Sequence, residues 1–192
     1  MAHVTIFGTG KMASAIGGVF ADGGSVVTYI AKDQIPATPV TGDIVVLAVP
    51  YPAIDGIVSA YANQLAGKTV VDITNPLNFE TFDSLTVPVG SSAAAEIQKA
   101  LPDSHVVKAF NTTFAATLAT KKVGGNATTV LVAGDDASAK AAFIEAVAAG
   151  GVNAIDAGAL SRAHELEAIG FLQLTLAVGE KVSWTGGFAV VA

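Results

Sequence analysis

Val4-Thr5-Ile6-Phe7-Gly8-Thr9-Gly10-Lys11-Met12-Ala13 decides the fold. The first four residues are β-rich, and the six that follow spell G-x-G-x-x-A. From Lys11 to Ala21 small and apolar residues permit a helix, which Asp22-Gly23-Gly24 ends. A strand, a glycine turn and a helix in that order make a cradle for a dinucleotide. Gly8 permits the tight turn, and Gly10 has no side chain to keep backbone from a pyrophosphate. Ala13 lets the helix pack close to the strand. The N–H groups at the helix start, from Lys11 and Met12 onward, and the positive end of its dipole face the anion.

Outward from this turn, strands alternate with helices. Ser25–Ile30 reads as a second strand. Ala31 to Asp43 has room only for a loop, broken by Pro36 and Pro39. A standard second helix and the strand after it do not fit there, so the first half is trimmed. Ile44-Val45-Val46-Leu47-Ala48-Val49 is a continuous apolar run, the pattern of a strand buried on both faces. Helices are expected over Tyr51–Leu65, Ser91–Leu101 and Asp135–Ala149. Strands are expected over Lys68–Ile73, His105–Phe110, Thr128–Ala133 and Val152–Ile155. Thr74 to Gly90 is loop-rich, and Asn111 to Thr120 is ambiguous. Ser161 to about Val182 is the longest helical stretch, with Leu166, Ile169, Leu172 and Leu176 at helical spacing. The pattern predicts an α/β protein of Rossmann type with a mostly parallel sheet, trimmed after the second strand, plus a small C-terminal helical part. We divide it into a dinucleotide-binding domain over 1–157 and a C-terminal helix and tail over 158–192.

Composition narrows the function. Of 192 residues 52% are hydrophobic and 14% charged, where about 25% charged is usual. Such a chain is compact, not disordered. The net charge of −6 argues against a nucleic-acid partner, and the absence of a dense Lys/Arg run argues against a membrane surface. There is no cysteine, hence no thiol nucleophile and no thiolate metal site. Met1-Ala2-His3-Val4 has no basic leader region, and no apolar run reaches about 18 residues, so a cytoplasmic protein is expected.

The end of the second strand bears on which dinucleotide binds. An NAD site places Asp or Glu about 20 residues past the glycines. Here the strand ends on Ile30, followed by Ala31, Lys32 and Asp33. Lys32 would welcome a 2′-phosphate, which favours NADP(H); Asp33 on the ribose is the alternative. Loops at the C-terminal ends of the strands should line the crevice: Ala48-Val49-Pro50-Tyr51, Thr74-Asn75-Pro76 and Asn111-Thr112-Thr113. Val49 and Pro50 offer an apolar shelf for the nicotinamide, and Tyr51 could stack on it. Asn75 and Asn111 offer amides to the carboxamide or to a substrate. The bland reading is that Pro50 and Pro76 stop strands and Asn75 occupies a turn. No Ser-His-Asp triad, no metal-ligand spacing and no catalytic residue is read. His3, His105 and His164 are scattered. Ser92 and Asp135-Asp136 read as helix caps. The apolar tail from Val182 to Ala192 carries the only Trp and is expected to be buried against an acceptor site or a partner subunit.

The chain resembles the coenzyme F420-dependent NADP oxidoreductase family over nearly its whole length. The resemblance rests on Ile6–Gly10, Val45–Pro50, Ser92–Ile97, Val107–Thr112, Val132–Asp136 and Asp156–Ser161, with Arg162 and Glu165 after. It implies an NADP site, a small C-terminal substrate part and a homodimer. It implies hydride transfer between NADPH and a small-molecule electron acceptor, a flavin or deazaflavin, as second substrate; Asn111–Thr113, the loop at a strand end, is read as the substrate-binding segment. The family's loop after the second strand carries Ser-Arg-type residues for the 2′-phosphate; Ala31 and Lys32 stand at those positions here. Two other readings stay open: a dinucleotide-binding sensor without turnover, and a reductase of a small imine or carbonyl with Tyr51 as proton donor.

Overall fold

The computed structural model describes residues 2–191. Met1, on which the leader expectation partly falls, and Ala192, the end of the tail, lie outside the described residues. In chain order the elements are β1 (His3–Phe7), α1 (Lys11–Asp22), β2 (Val26–Ile30), β3 (Ile44–Leu47), α2 (Ile54–Leu65), β4 (Thr69–Asp72), α3 (Ala93–Ala100), β5 (His105–Lys108), α4 (Ala115–Thr120), β6 (Lys122–Val123), β7 (Asn126–Ala127), β8 (Thr129–Gly134), α5 (Ala137–Ala149), β9 (Asn153–Gly158) and α6 (Ala163–Val178). Seven strands form one sheet in the order β2-β1-β3-β4-β5-β8-β9, and β6 and β7 form a separate hairpin. Every pair in the large sheet is parallel except β5 with β8. This is a Rossmann-type α/β fold.

The β2-β1-β3 order reverses the direction of the winding at β1, and the crevice outside the strand ends at that switch point is where ligands enter such sheets. Among the described residues no strand lies outside β2, as the trimmed sequence predicts. The segment that replaces the missing unit is tied down by polar bonds instead of by a helix. Tyr61 donates its hydroxyl to the Thr38 carbonyl (2.9 Å), Val40 N–H donates to Gln64 Oε1 (2.9 Å) and Gly42 N–H donates to Thr5 Oγ1 (2.9 Å).

Alternate residues of the central strands feed two cores, one on each face of the sheet. Ile6, Val46, Val71 and Val107 meet α1 and α5 around Phe20, Phe110 and Phe143, whose rings pack edge to face. Phe7, Val45, Leu47, Val70 and Val106 meet α2 and α3, where Phe7 packs on the Tyr61 ring.

Several boundaries differ from the expectations. The third strand stops at Leu47, so Ala48 and Val49 leave the sheet and become free to line the crevice. The ambiguous segment after Asn111 holds the short helix α4. The last helix starts at Ala163 and ends at Val178, four residues earlier than expected. Its inner face is also rotated from the one the leucine spacing indicates. Leu166 is buried, but Ile169 and Leu172 are exposed, while Glu167, Gly170, Gln173 and Ala177 face inward. Polar residues take the inner face because each has a partner there. Among the described residues no helix is long and apolar enough to cross a membrane.

Candidate functional site

The glycine turn is built as its sequence demands. Gly8 has φ +108°, a conformation open to glycine, and an added Cβ would lie 2.3 Å from the Ala48 carbonyl oxygen. That closeness lets β1 and β3 run out side by side under the turn. Gly10 differs: a Cβ there would meet nothing within 4 Å. It is the N-cap of α1, and no side chain caps the helix start. The start of this 12-residue helix therefore has no side-chain cap, and the Gly8–Gly10 turn leading into it borders open space, an arrangement that suits an anion.

That space is a crevice of about 580 Å³ between the turn and the shelf after β3. Gly8, Thr9, Gly10 and Lys32 line one side, and Ala48, Val49 and Pro50 the other. Among the described residues Lys32 is the single cation in this lining, and it is exposed. The crevice continues past Ala48–Tyr51 into a second compartment of about 490 Å³ with Met12, Ile73, Thr74, Asn75 and Leu174. That compartment shares Met12, Ile73, Asn75 and Leu174 with a third, of about 440 Å³, reached by Lys11, Asn111, Thr113 and Trp184. The three compartments follow one another along the strand ends.

The inner wall is an amide lattice. Asn111 donates through Nδ2 to Asn75 Oδ1 (2.9 Å) and to the Leu166 carbonyl (2.8 Å), and Asn75 Nδ2 donates to the Asn111 carbonyl (2.9 Å). The Leu166 carbonyl only accepts, so it fixes which end of the Asn111 amide points at it. Phe110, just before, holds φ +64°, a conformation strained for a non-glycine residue. Gly170 lets α6 approach, since a Cβ there would lie 2.2 Å from Asn75 Oδ1. Among the described residues two buried side-chain polar atoms lack a partner, Thr74 Oγ1 and Asn111 Oδ1. Both residues line the crevice, and a buried polar atom without a partner marks a place where a ligand can supply one.

Beneath the lattice lies a buried charge cluster. Asp72 and Lys108 end adjacent strands and pair in register. Lys108 Nζ sits 2.7 Å from Asp72 Oδ2 and 2.8 Å from Glu167 Oε1, and donates to the Thr74 carbonyl at 2.5 Å. All three side chains are fully buried. Glu167 accepts from Ala93 N–H (2.9 Å), and Asp72 accepts from Thr74 N–H (2.8 Å). The first turn of α3 thus meets an anion from its own chain, in addition to the Ser92 cap on Ala95 N–H (3.1 Å). Burial pushes the Glu167 carboxyl above its ordinary range, against the pull of Lys108. The cluster fixes the loop that presents Thr74 and Asn75.

Comparison with known proteins follows the same lines. A family profile described as "NADP oxidoreductase coenzyme F420-dependent" matches residues 36–76, which hold β3, α2 and β4. An F420-dependent NADP reductase of Methanocaldococcus jannaschii is 34% identical over 149 residues, covering 76% of this chain and 66% of the relative. A metalloreductase of Rattus norvegicus, STEAP3, is 38% identical over 108 residues, covering 56% of this chain and 21% of that protein. A crystal structure from Arthrobacter sp. FB24, described as an F420 dependent NADP-reductase, superposes with a TM-score of 0.85 at 26% identity and covers 100% of both chains. The chain belongs to the coenzyme F420-dependent NADP oxidoreductase family. It spans about two thirds of the methanogen reductase's length and about one fifth of the metalloreductase's.

Against this family background, most of the residues singled out in the sequence line the crevice. Gly8, Thr9, Gly10, Lys32, Ala48, Val49 and Pro50 line the first compartment. Met12, Tyr51, Thr74 and Asn75 line the second, and Lys11, Asn111 and Thr113 the third. Three others stand behind it. Ala31 N–H is bound to Gln34 Oε1 (2.8 Å). Pro76 is buried, and its carbonyl accepts from Thr86 N–H (2.7 Å). The Thr112 carbonyl accepts from Gln173 Nε2 (3.1 Å). In the single chain the tail is partly exposed, Trp184 at 51% and Phe188 at 42%. It lies against Phe114 at the mouth of the third compartment. Sequence reasoning missed Asp72, Lys108, Glu167, Leu174 and Gln173. A signal existed for the first two, since a charge at the end of an otherwise apolar strand needs a buried partner.

Proposed function

We propose that the crevice binds NADP(H) and that the protein passes a hydride between it and a flat flavin- or deazaflavin-like acceptor. The observation that carries this reading is the uncapped start of α1 behind a glycine turn, Gly8–Gly10, that lines the crevice together with Lys32. The α1 N–H groups hold the pyrophosphate, and Lys32 meets the 2′-phosphate. Val49 and Pro50 support the nicotinamide face, and Thr74 and Asn111 offer polar atoms to the rings. When bound, the dihydronicotinamide gives up a hydride and becomes the oxidised ring, while the acceptor takes the hydride at one ring atom and a solvent proton at another. The residues on the page orient rings and exclude water, which is what such a transfer asks of a protein. The exposed side of α6 around Ile169 and Leu172 is where we place the contact between two copies.

Tyr51 separates this reading from proton-donating reduction of an imine or carbonyl. Burial first, then the nearby carboxylates Asp55, Glu96, Asp72 and Glu167, push its phenol above the ordinary range. It therefore stays neutral, available to pack on a ring. With NADPH and FMN or coenzyme F420 as acceptor, Tyr51→Phe should keep kcat within about twofold of the parent. A loss of about a hundredfold in kcat would instead make Tyr51 a proton donor, the role that the imine or carbonyl reading gives it, and not a packing residue. An absence of NADPH oxidation with every acceptor, despite tight NADPH binding, would favour a sensor.

A further inference from the structure

The third compartment is walled by aromatic rings and ends at the tail. Its lining includes Phe110, Asn111, Phe114 and Trp184, with Lys11 beside them. Trp184 packs on Phe114 with ring centroids 5.0 Å apart and planes inclined by 54°. A Trp serving only the core would be covered, yet this one is 51% exposed and stands at a cavity. The volume, about 440 Å³, lies within the usual range for small-molecule sites.

A buried clasp holds the tail in this position. Gln173, 2% exposed on the inner face of α6, donates through Nε2 to the Thr112 carbonyl (3.1 Å). Its Oε1 accepts Phe188 N–H at 2.8 Å. One side chain therefore ties the loop after β5, the last helix and the tail together. The compartment shares Met12, Asn75 and Leu174 with the one proposed above for the nicotinamide, so a ring seated here abuts that site.

We propose that Trp184 is the outer wall of the acceptor subsite, stacking on the planar ring of the acceptor, and that Gln173 positions it. This assignment rests on the hydride-transfer reading above. Asn111, whose buried Oδ1 lacks a partner, lines the same compartment, and an N–H at a ring's edge, as in the imide of a flavin or deazaflavin, is the donor that oxygen would accept. Lys11 at the rim favours an acceptor with an anionic tail.

Trp184 is the single tryptophan of the chain, so its fluorescence reports on this wall alone. FMN and coenzyme F420 are titrated into the protein, and steady-state constants are measured for Trp184→Ala and Trp184→Phe. Saturable quenching is expected, with a midpoint matching the acceptor KM. Trp184→Ala should raise the acceptor KM about tenfold and leave the NADPH KM unchanged, and Trp184→Phe should recover most of the loss. An unchanged acceptor KM in Trp184→Ala overturns the assignment while hydride transfer stands. Equal changes in both KM values with a lowered Tm also overturn it, because they mark a merely structural side chain. If the parent binds NADPH but reduces neither acceptor, the acceptor reading itself has failed, and this assignment falls with it.

Discussion

Lys108→Met is expected to destabilise the protein by about 3–5 kcal/mol at neutral pH. The substitution keeps an unbranched side chain, shorter by the ammonium nitrogen, and removes one charge. What remains is two fully buried carboxylates, Asp72 and Glu167, each within 3 Å of the vacated ammonium position. Their remaining partners are backbone N–H groups of Thr74, Ala93 and Ala94. Those bonds do not offset the cost of two buried negative charges, so the carboxyls must take up protons or the fold must open. The loop that carries Thr74 and Asn75 would loosen with them.

Glu167→Gln should be far milder, and its pH dependence is the check on the cause. The Glu167 carboxyl is held above its ordinary range in the fold, chiefly by burial. The folded state therefore binds this proton more tightly than the unfolded chain does. The stability from that proton is fully present below the unfolded value. It is lost as pH rises through the folded one. Glu167→Gln fixes a neutral group in place and should flatten this decline, while Lys108→Met should steepen it. Urea midpoints measured at about pH 4 and about pH 8 give the slopes. If Lys108→Met costs less than about 1 kcal/mol at neutral pH, the cluster is not the buried ionic unit described here.

Two glycines two residues apart should fail in different ways. Gly8→Ala forces a side chain into φ +108° and sets a Cβ 2.3 Å from the Ala48 carbonyl. The obstacle is backbone, held where Ala48 N–H donates to the Phe7 carbonyl (2.9 Å), so it cannot turn aside. Gly8 N–H is itself bound to the Ile30 carbonyl (2.9 Å). Strain and overpacking together should cost about 2–4 kcal/mol in the absence of any ligand. Gly10→Ala puts its methyl into open space at an ordinary φ of −75°, and the fold should tolerate it within about 0.5 kcal/mol. The same methyl would occupy room proposed for the pyrophosphate, so NADPH affinity should fall about ten- to hundredfold. Denaturation curves and NADPH titrations of both variants separate the two effects. Parent-like NADPH binding by Gly10→Ala would remove the pyrophosphate from this place.

The elements that follow from local chemistry were legible in the sequence. The glycine turn, the apolar run from Ile44 and the missing unit between Ala31 and Asp43 all speak through residues adjacent in the chain. The crevice-lining loops were legible for the same reason, since each follows a strand whose end Pro, Asn or Gly marks. What was hidden depends on pairs far apart. Glu167 and Gln173 look like the solvated side of a helix, and Ile169 and Leu172 like its core side, because spacing alone makes the apolar stripe the buried one. The fold reverses this through Lys108 and the α3 N–H groups on one side of α6, and through Thr112 and the tail on the other. Each polar side chain is buried because its partner comes from another element, and no window along the helix contains that partner. Gly170, unremarkable in the sequence, sits where α6 must pass Asn75.

The most direct test of the account is a thermal-shift titration with NADPH and NADH side by side, on the parent and on Lys32→Ala. Ligand at about 100 times its Kd should add about 2.7 kcal/mol of stability. The account predicts strong stabilisation of the parent by NADPH, little by NADH at the same concentration, and loss of that preference in Lys32→Ala. No stabilisation by either nucleotide would contradict it, and the glycine turn would then be only a turn.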